Sequence, residues 1–254
     1  MLMSAYSFVT EPDLKSLQLE SVAEPILVVA PHPDDETLGC GGAIAQLRSM
    51  GKCVRVLVVS DGTMSHPNSR KYPPQKRRQL REGETIAALA LLGVEADKIA
   101  FLRLPDGAVP TVAPETEATA DAIARCRAYL SQYPPATLFL PYQFDPHPDH
   151  RATWQLVQAA LRALSSTACW LEYPIWDWDP QQGQPFDLEQ YRAWQVEIGE
   201  GLGLKKDAIA CYRSQLGGLI DDDPDGFQLT PELIASFTQP LEIYLEPYTS
   251  ILDC

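Results

Sequence analysis

The sequence lacks several features that would assign it to a whole class of proteins. No apolar run approaches the ~20 residues that span a bilayer, so we expect no membrane span. The six cysteines include no C-x-x-C pair, which argues against a structural zinc knot. Several cysteines lie in apolar patterns, as Cys53 does, which favours reduced thiols in a cytoplasmic protein. The first residues lack a basic segment followed by an apolar core, so no secretory signal is expected.

Positive charge is also scarce. Lys and Arg number 20 against 34 Asp and Glu, which gives a formal net charge of −14. A phosphate backbone repels such a surface, and the densest basic group, residues 76–81, is short. We therefore expect no nucleic-acid partner. The sequence leaves the oligomeric state open, and a homo-oligomer is compatible with it.

Histidine is the third scarce residue, and its placement is uneven. Three of the four histidines lie in two segments that each follow a short apolar run and also carry acidic residues. These residues are His32, Asp34, Asp35 and Glu36 in APHPDDETLGCGG (30–42), and His147, Asp149 and His150 in PYQFDPHPDHRAT (141–153).

Two histidines and a carboxylate with an open position are typical of a catalytic zinc site. The i, i+3 spacing of His32 and Asp35 across a proline-containing turn can direct both side chains to one ion. His150 can supply the third ligand, so the sequence predicts one Zn²⁺ per chain, although Fe²⁺ or another divalent ion suits the same donors. A non-heme iron oxygenase and a non-catalytic metal-binding module are the alternatives. Asp34 favours hydrolysis over the oxygenase, and Asp34 with His147 argues against the module.

Strands and helices alternate along the chain, which predicts a parallel sheet. No linker or internal repeat marks a second domain. We expect one α/β domain over residues 1–254, with a three-layer Rossmann-like fold and a mostly parallel sheet. The predicted strands are 26–30, 54–60, 99–104, 137–141, 169–175 and 191–198, and the predicted helices are about 35–50, 76–92, 116–132, a helix after 148, and 204–216.

A dinucleotide site is an alternative for such a sheet, because Gly39, Gly41 and Gly42 follow the first strand and Asp61 follows the second. That fingerprint places its first glycine at the strand-to-helix turn, where backbone amides meet the pyrophosphate. Here residues 32–36 fill the turn, and their carboxylates would repel the ligand. We therefore expect the glycines to allow close helix packing.

PHPDDE followed at this distance by HPDH resembles the LmbE-like, or PIG-L, family of zinc-dependent N-acetylglucosaminyl de-N-acetylases. SDGTMSH (60–66), LPDG (104–107) and the helix pattern R-x-x-E-x-x-x-A-x-x-x-L-G from Arg81 also stand in family order. The resemblance implies a hydrolase that removes the N-acetyl group from a GlcNAc-type sugar or glycoconjugate. An amidase of the same mechanism that acts on a non-sugar or thiol-conjugate amide is the alternative.

The resemblance and the residue chemistry together suggest catalytic roles. Asp34 is adjacent to Asp35 but must point elsewhere, so it is free to act as general base, as the family also implies. In the family-like geometry His147 faces the carbonyl as an imidazolium and stabilises the oxyanion. Asp149 is expected to hydrogen-bond His147, and Glu36 to cap the helix start.

The resemblance also implies substrate contacts. Arg81 and Asp106 match positions that hydrogen-bond sugar hydroxyls, although a helix-surface ion pair and a plain turn are the alternatives. His66 is expected either to reach the sugar or to be solvated. Other expectations concern aromatic residues that could wall a sugar pocket and a glutamine that could stabilise a loop; they are Tyr173, Trp176, Trp178 and Gln215.

The segment DDDPDGFQLTPE (221–232) matches the spacing of a calcium-binding loop. Gln228 stands where such loops have an aliphatic residue, and Gly217 and Gly218 break the helix that would enter the loop. We therefore expect a solvated acidic loop.

Overall fold

The computed structural model describes residues 2–3, 14–114, 116–179, 183, 186–187 and 189–248. The strands are β1 (Leu2–Met3), β2 (Lys15–Ser16), β3 (Ile26–Ala30), β4 (Val54–Ser60), β5 (Ile99–Leu104), β6 (Thr137–Pro141), β7 (Cys169–Tyr173), β8 (Phe186–Asp187), β9 (Tyr191–Glu197) and β10 (Leu241–Pro247). The α-helices are α1 (Asp35–Ser49), α2 (Pro74–Leu91), α3 (Glu117–Gln132), α4 (Pro148–Ala163), α5 (Leu202–Ile209) and α6 (Pro231–Phe237), and 3₁₀ turns cover Leu19–Ser21, Ala96–Lys98 and Trp176–Trp178.

The main sheet has the strand order β2-β9-β10-β7-β6-β3-β4-β5 among the described residues. The pairs from β7 through β6, β3 and β4 to β5 are parallel. β10 runs antiparallel to β7 and β9, and β2 pairs in parallel with β9. β1 and β8 form a separate antiparallel pair. The prediction of an α/β fold with a mostly parallel sheet is confirmed.

β3 shows why the fold has three layers. All five of its residues are buried, as expected of a strand covered on both faces. Side chains alternate between the two faces of a strand. Ile26 and Val28 belong to a core cluster that includes α1 residues, whereas Leu27 and Val29 belong to a second cluster with residues of α3 and α4.

The last third departs from the predicted elements. α5 ends at Ile209 rather than near Leu216, and α6 and β10 are absent from the prediction. The sequence did not predict β10, because Glu242 and Glu246 interrupt its apolar pattern. Both are buried and paired, since Lys205 Nζ lies 2.7 Å from Glu242 and Arg192 Nη1 lies 3.2 Å from Glu246.

Two expectations drawn from absences have different outcomes. Among the described helices, none combines the length and the hydropathy that crossing a bilayer requires. Cys40, Cys53, Cys126 and Cys211 are free thiols. Cys169 is disulfide-bonded, so this position departs from the reduced thiols that the sequence favours.

Glycine in α1 serves close packing, as expected from the sequence. A Cβ atom on Gly42 would lie 2.5 Å from Cβ of Ile198, whereas a Cβ on Gly83 in α2 would meet nothing within 4 Å. Gly42→Ala should lower the free energy of unfolding by about 1–3 kcal/mol through overpacking. Gly83→Ala should raise it by about 0.5–1 kcal/mol through helix propensity. Urea denaturation measures both, and a stabilised Gly42→Ala variant would contradict the packing argument.

Glu172 on β7 makes the stability depend on pH. Burial raises the pKa of its carboxyl group to about 8, although Gln143 N–H and the Trp154 indole N–H donate to it. A raised folded-state pKa means that stability is fully present below the ordinary value of 4.5 and is lost as the pH rises through about 8. The free energy of unfolding should therefore fall between pH 5 and pH 8 in the native chain. Glu172→Gln should flatten this slope, and the exposed control Glu197→Gln should leave it unchanged in urea titrations.

Candidate active site

Two strand ends meet at one edge of the sheet and bring the histidine-containing segments together. β3 and β6 are neighbouring parallel strands, with Ile26 opposite Thr137 and Val28 opposite Phe139. β4 and β5 lie on one side of this pair, and β7 lies on the other. The strand order reverses here, which is where open α/β sheets bind their ligands.

Three side-chain atoms converge just beyond these strand ends. Nδ1 of His32 lies 3.2 Å from Oδ2 of Asp35 and 3.3 Å from Nε2 of His150. The Asp35 oxygen and the His150 nitrogen are 3.2 Å apart. Tetrahedral zinc with bonds of about 2.0–2.1 Å spaces its donor atoms about 3.3–3.4 Å apart. The three predicted ligands thus fit a divalent ion.

Each of the two histidines has a carboxylate behind it. Nε2 of His32 lies 3.3 Å from Oδ1 of Asp106 and 3.3 Å from Oδ2 of Asp149. Nδ1 of His150 lies 3.2 Å from Oδ2 of Asp145. His32, Asp106 and Asp149 are close enough to hold an ion themselves. A carboxylate behind a ligating imidazole fixes its tautomer and ring orientation, so these contacts suit support of the first triangle better than a second one.

Sequence reasoning missed Asp145, which is fully buried. Its Oδ1 accepts the N–H of His147 at 2.8 Å, and its Oδ2 accepts the N–H groups of Ile175 and Trp176 at 3.2 and 3.1 Å. It therefore ties the loop that carries His147 to the segment after β7. Its place two residues before His147 in FDPHPDH is the signal that could have identified it.

The charges of the triangle are strongly perturbed. Burial alone would raise the pKa of Asp35, but His150 and His32 hold it well below its usual range. Burial would likewise lower the pKa of His150, but Asp145 and Asp35 raise it to about 9. Burial also opposes the charge on His32, and Asp106, Asp149 and Asp35 outweigh it, so that its pKa is raised. Two cations thus share one carboxylate, an arrangement in which a metal ion can replace protons.

Asp34 is next to Asp35 of the triangle, and its carboxylate is paired with Arg81. Its Oδ2 lies 3.0 Å from Nη2 of Arg81, and both side chains are buried. Burial raises the pKa of Asp34 to about 6, while the Arg81 charge limits the increase. The backbone of Asp34 has φ 127°, a conformation that residues other than glycine rarely adopt. Residues held in such conformations cluster at functional sites.

His147 occupies the N-cap of α4, and its Nδ1 accepts the N–H of Asp149 at 3.2 Å. The proton of a neutral ring is therefore on Nε2. Burial lowers the pKa of His147 to about 4, and the charges of His32 and His150 act in the same direction. Burial, reinforced by the two charged histidines, therefore favours a neutral ring, whereas the sequence suggests an imidazolium.

The expected hydrogen bond between Asp149 and the His147 ring is made by the backbone N–H of Asp149 and not by its carboxylate. The Asp149 carboxylate accepts the N–H groups of Gly107 and Val109 at 2.7 and 3.1 Å and faces His32. Only the backbone N–H of Asp149 reaches His147. The carboxylate binds these two backbone N–H groups, which have no other acceptor in the described part of the chain.

The three predicted substrate contacts lie in different surroundings. Arg81 and Asp106 line one cavity, but Arg81 is paired with Asp34, and Asp106 accepts the N–H of Met64 at 2.6 Å. His66 is 1% exposed and packs against Gly226. The alternative of a solvated side chain is therefore wrong, and His66 is absent from the cavity lining among the described residues. The loop from Asp222 to Phe227 covers it.

A cavity of about 280 Å³ opens in front of the triangle. Charged residues of both histidine-containing segments line it, together with apolar residues that we call the apolar wall: Trp176, Phe227, Leu233 and Phe237. Trp176 stacks on His147 with ring centroids 5.9 Å apart, and Gln215 also lines the cavity. The aromatic prediction holds for Trp176 but is wrong for Tyr173, which is buried with its hydroxyl on Val29 O, and Trp178 is likewise buried.

The acidic segment 221–232 is attached to the loop beside the cavity. Asp222 accepts the N–H groups of Arg70 and Lys71 at 2.8 and 2.9 Å, and Asp223 accepts that of Asn68 at 2.8 Å. Asp223 is 1% exposed. The expectation of a solvated loop therefore holds for the exposed Asp221 and Asp225, but it is wrong for Asp223, whose buried carboxylate serves as acceptor for a backbone amide.

A family comparison agrees with this geometry. The model of the PIG-L family, described as GlcNAc-PI de-N-acetylase, matches residues 27–161, more than half of the chain. The chain belongs to the PIG-L family. The matched region contains both histidine-containing segments, Arg81 and Asp106. It ends before Trp176, the first residue of the apolar wall.

The individual proteins to which this PIG-L protein is similar are distant relatives. It is 33% identical over 98 residues to 1D-myo-inositol 2-acetamido-2-deoxy-alpha-D-glucopyranoside deacetylase of Kineococcus radiotolerans, a match that covers 37% of this chain and 27% of that protein. The matched part thus spans about a quarter of that relative's length.

Solved structures share the fold of this PIG-L protein. N,N'-diacetylchitobiose deacetylase from Pyrococcus horikoshii superposes with a TM-score of 0.61 at 24% identity, over 89% of this chain and 88% of that one. GalB, the 4-carboxy-2-hydroxymuconate hydratase from Pseudomonas putida KT2440, superposes with a TM-score of 0.65 at 17% identity, over 91% and 99%. Because deacetylase and hydratase share the architecture, the reaction must be argued from side chains.

Asp145 offers a test of how the site is held. Asp145→Ala leaves one buried and two partly buried N–H groups without their acceptor and should lower the free energy of unfolding by about 3 kcal/mol. Urea denaturation measures this loss. Asp121→Ala, which removes a carboxylate that is 66% exposed on α3, should change stability by less than about 0.5 kcal/mol. Equal effects of the two substitutions would contradict the role given to Asp145.

Proposed function

We propose that this PIG-L protein is a zinc-dependent hydrolase that removes the N-acetyl group from a GlcNAc-type sugar or glycoconjugate. The triangle of His32, Asp35 and His150, with Asp34 and His147 beside it in one cavity, is the observation that carries the proposal. The name of the Kineococcus relative, a deacetylase of a 2-acetamido-2-deoxy-glucopyranoside, supports the sugar.

His32, Asp35 and His150 would hold the ion. When bound, it supplies Lewis-acid polarisation of the amide carbonyl and lowers the pKa of water toward ~7. Zinc suits two imidazoles and a carboxylate, and Fe²⁺ remains the alternative ion. Asp106, Asp145 and Asp149 keep the two imidazoles oriented, as carboxylates behind metal ligands do.

Asp34 is the proposed general base. Its pKa of about 6 leaves the carboxylate mostly ionised at neutral pH and more basic than an ordinary aspartate. Such a group accepts a proton from the attacking water more readily than a solvated carboxylate does. Arg81 keeps the buried charge paired, so that the base does not require burial of an isolated anion.

His147 is proposed to bind the carbonyl oxygen with its Nε2–H group. A neutral imidazole donates a hydrogen bond to the oxygen as negative charge develops on it, and the backbone N–H of Asp149 holds the tautomer that does so. The parallel ring of Trp176 fixes the plane of the imidazole. In this form His147 acts without the positive charge that the sequence suggests.

Asp106 is the proposed sugar contact at the mouth of the cavity. Its Oδ2 holds the Met64 N–H, while Oδ1 faces His32 and the cavity. We do not assign substrate binding to His66, because it is buried behind the loop after Asp222. A cytoplasmic location and a small-molecule or glycoconjugate partner remain predictions.

The apolar wall favours one second candidate, an amidase that acts on a non-sugar or thiol-conjugate amide. Trp176, Phe227, Leu233 and Phe237 offer an apolar surface larger than the methyl group of an acetamide requires. Such a wall would bury an apolar substituent of the substrate. The chemistry at the triangle is the same for both candidates, so only the substrate distinguishes them.

The test is release of acetate or amine from a matched panel of substrates. The zinc-loaded protein should hydrolyse N-acetylated amino sugars, such as diacetylchitobiose, faster than thiol-conjugate amides of equal concentration. Asp34→Asn should keep the metal and lower kcat by at least about 10²-fold, the scale of a general base. His150→Ala should lose the metal, measured by elemental analysis. Full activity in Asp34→Asn, or hydrolysis of the thiol conjugates alone, would reject the proposal.

A further inference from the structure

We infer that Glu36 is a positioning residue whose buried carboxylate holds the backbone N–H of Asp34 and so keeps the Asp34 side chain directed at the cavity. The inference rests on the proposed function, because Glu36 acts through the proposed general base. It goes beyond the helix cap that the sequence suggests for Glu36, since the group that is held belongs to the residue proposed to activate water.

The start of α1 is unusual because its N-cap side chain does not cap the helix. An aspartate at an N-cap ordinarily accepts the first N–H groups of the helix with its carboxylate. Asp34 makes no such bond, and its Oδ2 lies 3.0 Å from Nη2 of Arg81. Only its backbone carbonyl serves the helix, by accepting the N–H groups of Thr37 and Leu38, each at 2.9 Å. The carboxylate is therefore free to line the cavity.

Glu36 bonds directly to the backbone of this residue. Its Oε2 accepts the N–H of Asp34 at 3.2 Å. A capping-box glutamate makes the same bond from the third helical position, whereas Glu36 makes it from the second. Asp34 has φ 127° and ψ −28°, and strained conformations cost about 1–3 kcal/mol and persist only where surrounding contacts hold them. Glu36 is one of those contacts.

Glu36 is itself held by the tertiary structure. Its Oε1 accepts the hydroxyl of Tyr212 and, at 3.2 Å, the hydroxyl of Thr37, and these two hydroxyl oxygens are 3.0 Å apart. All three side chains are buried, and Tyr212 follows α5, 176 positions after Glu36. Among the described residues, Glu36 is not part of the cavity lining. Its carboxylate therefore faces the protein and not the substrate.

A positioning role and a proton-transfer role predict different effects of substitution. Positioning needs an oxygen acceptor at the end of a side chain of this length, which glutamine also supplies. The Gln Oε1 can accept the Asp34 N–H, while its Nε2 donates to the Tyr212 hydroxyl. Proton transfer needs a carboxyl group, which aspartate keeps and glutamine lacks. Aspartate is shorter by a methylene group, so its carboxylate withdraws from the Asp34 N–H.

The experiment is steady-state kinetics of the metal-loaded protein with an N-acetylated amino sugar. Glu36→Asp and Glu36→Met should lower kcat by about 10- to 100-fold, because the base is misplaced. KM should change by less than about 3-fold, since substrate binding does not use Glu36. Glu36→Gln should recover kcat to within about 5-fold of the native value. Elemental analysis should find the same metal content in all three variants.

A double-mutant cycle tests whether Glu36 acts through Asp34. Asp34→Asn combined with Glu36→Asp should be within about 3-fold of Asp34→Asn alone, because residues that act as one unit are not additive. Fully additive losses would contradict the inference. A loss in Glu36→Gln of about 10²-fold would also overturn it, because that result is the signature of proton transfer.

Glu242 supplies the matched control. This buried glutamate accepts the N–H groups of Gly42 and Ala43, later in α1, at 2.7 and 2.8 Å, and the hydroxyl of Tyr244 at 2.8 Å. Glu242→Asp should lower the thermal midpoint as Glu36→Asp does, because each substitution withdraws an acceptor from a buried N–H. It should keep kcat within about 3-fold of the native value, since none of these residues lines the cavity. Equal kcat losses in the two variants would overturn the inference.

A structural measurement separates this inference from the proposed function. A crystal structure of Glu36→Asp should show the Asp34 carboxylate turned from Arg81 to the first N–H groups of α1, as at an ordinary N-cap. An Asp34 carboxylate that stays on Arg81, with φ still positive, would overturn the inference whatever the activity. Lack of deacetylase activity in the native protein would instead refute the proposed function, and this crystal structure would still decide what holds Asp34.

Discussion

The parallel pairing of β3 with β6 is the constraint on which the site depends. His32 and Asp149 are separated by 117 positions in the chain, yet their side chains are 3.3 Å apart. The contact exists because two buried strands lie side by side in register and end at the same edge of the sheet. Neither segment alone contains all three residues of the triangle, so the triangle can form only after these strands have paired.

The site concentrates carboxylates in a chain that already carries a net charge of −14, and each of them is compensated locally. Arg81 pairs with Asp34, two imidazoles share Asp35, and backbone N–H groups satisfy Asp145 and Asp149. A buried anion is tolerated only when charges or hydrogen bonds replace its water. The same contacts that stabilise the carboxylates also fix their directions, so stability and orientation have one origin.

The sequence allowed prediction of those parts that depend on short-range patterns. Uniformly apolar strands such as β3, and the i, i+3 spacing of His32 and Asp35, follow from local chemistry and match the structure. The positions of Asp145 and Arg81 depended instead on which acceptors and donors tertiary packing places opposite them. The direction of the His147 pKa had the same limit, because it depends on burial and on charged histidines that only the tertiary structure brings together. β10 escaped prediction because its buried glutamates are paired with residues distant in sequence.

The attachment of the 221–232 segment to residues 68–71 has a consequence for how the cavity can diversify. All three proposed metal ligands precede residue 151, whereas Phe227, Leu233 and Phe237 of the apolar wall lie in the C-terminal part of the chain that is also hydrogen-bonded to an early loop. The proposed metal ligands and most of the apolar wall therefore lie in separate stretches of the polypeptide. Exchange of the late stretch would reshape the cavity while the three proposed ligands keep their positions.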